Sequence, residues 1–247
     1  MREIAGWRPA RRIRSGVGKG LRIGRSQASA DYASGTNELP VQLALRDLLR
    51  PGDVFVDIGA NVGFFSLLAS RMVENSGQVY ALEPVPANVR EIRANLRRNR
   101  LANVEVIEVA ASDAVGSATL TLTRHPGGAA LASAGSPPDP AGQLQVETAT
   151  LDALVEQGRI RPPSTVKIDV EGAEEAVLAG MTSTMASARP LLVVEIDGSD
   201  DHALARRRLA IVELLQSAGY DVEELENSYP TMAWRVAHLV GHPRSVR

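Results

Sequence analysis

The segment Val54-Phe55-Val56-Asp57-Ile58-Gly59-Ala60-Asn61-Val62-Gly63-Phe64 constrains this chain more than any other. An apolar run reads as a buried strand, an acid interrupts it, two spaced glycines form a loop, and an apolar helix begins. Twenty residues past Gly63, Gln78-Val79-Tyr80-Ala81-Leu82 reads as a second strand and ends on Glu83. This is the βαβ layout of a nucleotide-type cofactor site, in which glycines allow close backbone approach and an acid at the tip of the second strand accepts ribose hydroxyls.

The spacing narrows the ligand. A dinucleotide loop, G-x-G-x-x-G, needs its last glycine where this chain has Phe64, so a pyrophosphate cradle is disfavoured. Asp57, just before the first glycine, would repel a diphosphate but suits a cation. S-adenosylmethionine carries both an ammonium and a sulfonium, and its ribose suits Glu83. The competing reading is a plain glycine turn with Asp57 as a helix cap. Asp113, after the third strand, is placed either at the adenine amine or in a simple turn before Gly116.

Strands alternate with helices along the rest of the chain, which predicts a doubly wound, mostly parallel α/β sheet. Helices are expected near 38–49, 64–72, 84–99, 172–180 and 203–218. Strands are expected at 54–58, 78–82, 104–110, 118–123, 145–149, 166–170, 191–196 and 220–225, with an edge strand at 234–239. Residues 124–143 are rich in Gly, Ala, Ser and Pro, and read as a lid or a disordered segment. The expected organisation is an irregular basic arm over residues 1–30 and one domain over 31–247.

Charge is uneven: residues 1–25 hold eight basic side chains against Glu3, a net of +7 in a chain of −2. Such an arm could meet an anionic membrane surface or a phosphorylated substrate. Alternatively it is a flexible leader, or one packed on the acidic body. With 25 arginines and only two lysines, however, the chain favours arginine generally. No apolar run reaches the roughly 18 residues of a membrane span, and no secretory signal is read at the start, so a cytoplasmic home is expected. The absence of cysteine excludes disulfides and thiolate chemistry, and four scattered histidines disfavour zinc; no metal site is read. His202, His238 and His242 are expected on the surface. Nine aromatic residues are too few for an obvious base-stacking platform, so nucleic acid is not an expected partner.

Asp57-Ile58-Gly59-Ala60-Asn61-Val62-Gly63, then Glu83-Pro84-Val85-Pro86-Ala87-Asn88, then Lys167-Ile168-Asp169-Val170-Glu171-Gly172-Ala173-Glu174 resemble, in order, the FkbM family of methyltransferases. The resemblance covers roughly residues 32–198. It implies a class I, Rossmann-like methyltransferase using S-adenosylmethionine, acting on hydroxyls of sugars, glycolipids or polyketide-type products. Carried onto this chain, it implies that Asp57, Gly59, Asn61 and Gly63 line the methionine end and Glu83 the ribose.

Lys167, Asp169 and Glu171 alternate, so one face of a strand would carry all three, with the acids at the C-terminal end where open α/β sheets place ligands. Burying such charges is costly unless they neutralise each other or serve a ligand. Asp169 is the expected base for an acceptor hydroxyl, Lys167 its positioning partner and Glu171 a second acceptor contact. The alternative is a structural ion pair with a helix cap. A metal between Asp169 and Glu171 lacks a third ligand. Glu195 is expected either to bind substrate or to close its loop, and His125 is an alternative base or a solvated loop residue. Two other classes compete: an NAD-dependent oxidoreductase, and a non-catalytic cofactor-binding scaffold with a basic arm.

Overall fold

The computed structural model describes residues 10–24, 29–123, 129–131, 140–229 and 235–245. Arg11–Arg12 (β1) and Arg22–Ile23 (β2) pair as a short antiparallel hairpin, followed by α1 (Ser29–Ser34) and α2 (Leu39–Leu48). The cofactor-type unit is β3 (Val54–Ile58), α3 (Phe64–Val73), β4 (Gln78–Leu82), α4 (Pro86–Asn99) and β5 (Val104–Ile107). The chain then leaves the main sheet through β6 (Ala110–Ala111), β7 (Gly116–Thr123), β8 (Ala129–Leu131) and β9 (Pro140–Ala149). It returns through α5 (Leu151–Glu156), β10 (Thr165–Ile168), α6 (Glu174–Ala179), α7 (Thr182–Ser187) and β11 (Leu191–Gly198). It closes with α8 (Asp201–Ser217), β12 (Tyr220–Glu224) and β13 (Arg235–Pro243).

The main sheet has seven strands in the order β12-β13-β11-β10-β3-β4-β5. Its five inner and N-terminal strands run parallel, whereas β13 pairs antiparallel with both β11 and β12. The expected edge strand near the C-terminus is therefore an interior one, and β12 forms that edge. A second sheet of four strands, β6-β9-β7-β8, absorbs 129–131 and 140–143. The expected structureless loop is thus partly ladder, and 124–128 and 132–139 lie outside the described residues. The single strand expected over 104–110 is split between the two sheets.

The arm also differs from expectation. Ile13 and Ile23 of the hairpin are each 1% exposed and join the core beneath α2, α3 and α4. Asn95 of α4 holds the hairpin to the glycine loop, accepting from the Gly24 N–H and donating to the Val62 carbonyl. The few apolar residues of this arginine-rich stretch, Ile13, Val17, Leu21 and Ile23, follow no regular period, which is why the hairpin is not readable from sequence.

Period-two alternation assigns each strand residue a face. Val54, Val56 and Ile58 pack on the side covered by α6, α7 and α8, together with Val166 and Ile168. Phe55 points to the opposite side, with α2 and α3. Asp57 and Lys167 are register partners on adjacent strands and share that second face. A charged pair of positions therefore sits inside an apolar layer at the C-terminal ends of the parallel strands.

Candidate active site

The glycine loop is shaped by backbone geometry. Gly59, Asn61 and Gly63 have φ of +81°, +52° and +84°, a region L side chains rarely adopt. A Cβ on Gly59 would lie 1.8 Å from the Asp169 carbonyl oxygen. The first glycine thus seats the loop against the β10 turn, so cofactor end and Asp169 are in direct backbone contact. Asp169 N–H donates to the Ile58 carbonyl at 3.0 Å, reinforcing that join.

Glu83 is 4% exposed and accepts from the N–H of Asn61 at 2.8 Å, the N–H of Val85 at 2.9 Å and Asn88 Nδ2 at 3.2 Å. Burial pushes its carboxyl up to about 7, against the pull of those donors. Asp57 is buried, with Oδ2 accepting from Ser66 Oγ at 2.5 Å, while Oδ1 has no hydrogen-bond partner among the described residues. Burial raises its pKa, and Lys167 opposes that shift. Asn61 Oδ1 is likewise buried without a partner. Two orphaned acceptors and a ribose-type carboxylate around one loop fit the cationic methionine end and the ribose of S-adenosylmethionine. Phe64 fills the first turn of α3, buried and stacked on Tyr32 with ring centroids 4.9 Å apart, where a dinucleotide would need an open glycine. This is the physical obstacle to the oxidoreductase reading.

Asp113 is not part of this gathering. It lies in an exposed bend after β6, accepts from Ser112 Oγ, and abuts Gly180 at the end of α6.

Lys167 Nζ and Asp169 Oδ2 are 2.7 Å apart, the lysine side chain 1% exposed and the aspartate 25%. The ammonium also stands 4.6 Å from the Phe65 ring centroid. Burial alone would depress the lysine; Asp169, Glu38, Glu195 and Asp57 together outweigh it and raise it. Lys167 is therefore a fixed cation that holds Asp169 with one edge towards solvent. Glu171 is not on this face. The strand ends at Ile168, and Glu171 sits in the following turn, exposed, with φ of +47°. The alternation expected through Glu171 fails because the strand ends three residues earlier, at Ile168. Glu174 takes the inward place: it is fully buried, accepts from the Gly172 N–H and pairs with Arg207 of α8.

Glu195 and His238 are register partners on β11 and β13, with Oε2 and Nε2 2.8 Å apart. His238 is 1% exposed, so its expected surface position is corrected. It stands within a run of apolar β13 residues, Val236-Ala237-His238-Leu239-Val240, a pattern that could have marked it as buried. Glu38, just ahead of α2, completes the group. Its Oε1 accepts from Asn37 Nδ2 at 2.8 Å and from the Tyr229 hydroxyl at 3.2 Å. Glu38 has φ of +44°, a left-handed conformation that costs roughly 1–3 kcal/mol in a non-glycine residue. Burial acts against ionising Glu38, but His238 and Lys167 prevail and hold its pKa low, at about 2. Glu195 is raised, by burial and then by Asp169 and Glu38. His238 would be depressed by burial, yet Glu195 and Glu38 raise it to about 9. No motif announces Glu38, Tyr32 or Tyr229, which reach the site from segments far from the glycine loop. His125 lies outside the described residues.

The profile of the Methyltransferase FkbM domain matches residues 57–222. This chain belongs to the FkbM methyltransferase family. It is 32% identical over 225 residues to the 31-O-demethyl-FK506 methyltransferase FkbM of Streptomyces tacrolimicus, covering 80% of this chain and 83% of that protein. It is 31% identical over 150 residues to the hexuronic acid methyltransferase AglP of Haloferax volcanii, covering 60% and 58% respectively. Its fold is similar to a precorrin-6y C5,15-methyltransferase from Geobacter metallireducens, with a TM-score of 0.53 and 18% identity, covering 84% and 88%. It is also similar to an FkbM methyltransferase from Methylobacillus flagellatus, with a TM-score of 0.53 and 16% identity, covering 86% and 55%.

An FkbM-family chain with this class I fold is an enzyme, and its cofactor is S-adenosylmethionine. Among the described residues, no helix is long and apolar enough to cross a membrane.

Proposed function

We propose that this enzyme transfers a methyl group to a hydroxyl of a small hydroxylated acceptor: a sugar, a glycolipid or a polyketide-type product. The observation that carries this reading is the Lys167–Asp169 pair, which offers a partly exposed carboxylate in backbone contact with the glycine loop. Relatives named for 31-O-demethyl-FK506 and for hexuronic acid support an acceptor of this class.

Asp57, Asn61 and the loop formed by Gly59 and Gly63 would hold the methionine end of the cofactor, and Glu83 its ribose. When bound, S-adenosylmethionine supplies a methyl group made electrophilic by the adjoining sulfonium. Orienting an acceptor oxygen against that carbon can supply about 7–11 kcal/mol of the barrier. Asp169 would take the hydroxyl proton as the carbon–oxygen bond forms and the carbon–sulfur bond breaks, with S-adenosylhomocysteine as the leaving group, a contribution of roughly 10²–10⁴ in rate. Lys167 sets the carboxylate's direction, and its place over the Phe65 ring keeps the ammonium from swinging away. Glu171, in its exposed turn, is proposed to touch the acceptor's periphery.

The test is to incubate the full chain with methyl-labelled cofactor and extracts of its host, then to identify the labelled product. An O-methyl ether is expected, and label on carbon or nitrogen would overturn the reading. Arg11, Arg12, Arg14 and Lys19 of the hairpin segment are exposed, which supports contact with an anionic membrane surface. Co-sedimentation with phosphatidylserine vesicles, lost at high salt, checks that contact.

A further inference from the structure

We propose that Glu38, Glu195 and His238 form a binding site for one divalent first-row cation, Mn2+ or Zn2+. Three separate segments bring these residues together: the residue ahead of α2, the strand β11 and the strand β13. Their donor atoms all lie within 4.8 Å of one another. His238 Nε2 is 2.8 Å from Glu195 Oε2 and 3.7 Å from Glu38 Oε2. Donors arranged around a first-row cation with bonds of about 2.0–2.2 Å stand about 3–4 Å apart, so small side-chain adjustments suffice.

A second observation points to a ligand. Glu38 is 6% exposed, and its Oε2 has no hydrogen-bond partner among the described residues, although it faces the imidazole. Its other oxygen is fully engaged by Asn37 and Tyr229, which aim the carboxylate inward. The His238 ring is steered in the same way, with Ser228 Oγ 3.3 Å from Nδ1 and Nε2 turned to the acids. Orienting contacts behind the donors are what metal-ligating residues typically have.

Charge favours the same conclusion. Glu38, Glu195, Asp169 and Asp57 all act on Lys167, and among the described residues that lysine and His238 are the cations set against them. A divalent cation held there would place positive charge directly against the two buried carboxylates of Glu38 and Glu195. The donor set of one imidazole and two carboxylates suits Zn2+ or Mn2+ better than Mg2+ or Ca2+, which favour oxygen alone. This assignment stands whether or not Asp169 is the base, because Asp169 is not among the three ligands.

The test strips the full-length protein with a chelator and titrates it with Mn2+, following calorimetry and the electron paramagnetic resonance signal. One ion per chain with hyperfine coupling to an imidazole nitrogen is expected. The coupling should survive when the other histidines are replaced together (His125→Asn, His202→Asn, His242→Asn) and vanish in His238→Gln. Glu38→Gln should weaken binding about tenfold or more. Absence of Mn2+ and of Zn2+ binding to the wild-type chain would overturn the proposal. So would a signal without nitrogen coupling, or coupling lost in the triple histidine variant. Each of these is read on a chain that retains all three ligands, so misfolding of a ligand variant does not blunt the test.

Discussion

The two ends of the site bury charge in opposite ways. At the cofactor end, Glu83 stands apart from any cation and is held by neutral donors from its own neighbourhood, at Asn61, Val85 and Asn88. At the acceptor end, Lys167, Asp169, Glu195, His238 and Glu38 neutralise one another across four segments of the chain. The first solution is local, and its carboxyl stays readily protonated. The second is long-range, and each member depends on the others' charges. A solitary buried acid tolerates removal of a neighbour; a mutual network does not.

The largest effect that would break this comparison is on catalysis. Asp169→Asn should lower the turnover rate by roughly 10²–10⁴ while cofactor affinity, read by calorimetry with S-adenosylhomocysteine, stays nearly unchanged. An equal loss of affinity would show that the two ends are one functional unit. Next is Lys167→Met, which strands several buried carboxylates. A loss of about 3–5 kcal/mol in urea unfolding is expected, against about 1 kcal/mol if the network were replaceable. Gly59→Ala attacks the joint between the ends. The left-handed backbone costs at least about 1–2 kcal/mol, and the collision with the Asp169 carbonyl adds to it, so stability and turnover should fall together.

The smallest effect sharpens the contrast through pH. Glu83 titrates near 7 in the folded protein, above its ordinary 4.5. The folded state therefore holds a proton that the unfolded chain has released. Its contribution to stability is complete below about 4.5 and is lost as pH rises to about 7. Cofactor binding runs the other way, because ribose hydroxyls donate to the ionised carboxylate. S-adenosylhomocysteine affinity should climb as pH passes through about 7 and then level off. In Glu83→Gln the profile should be flat over that range, and a slope that persists would assign the titration to another group.

Much of the cofactor end was legible because its determinants are contiguous. The strand, the glycines and Glu83 announce themselves by spacing, and the main-sheet strands β3, β4, β10, β11 and β12 lie close to where alternation places them. The acceptor end was legible only at Lys167 and Asp169. Glu171 was misread because period two was carried past the end of β10, and His238 because a polar residue near a chain end reads as solvated. The hairpin was hidden by its arginines, although Ile13 and Ile23 bind it to the core.

By itself, the sequence determined the βαβ unit, the family and the kind of cofactor, because backbone dihedrals and strand period act over a few neighbouring residues. Only the tertiary structure decided which charges meet. Glu38, Glu195 and His238 converge because β13 inserts antiparallel beside β11 and α2 begins just after Glu38, and no local pattern encodes that pairing. Electrostatic partners are chosen by distance in space, and at the low dielectric of the interior those partners set whether each group is charged.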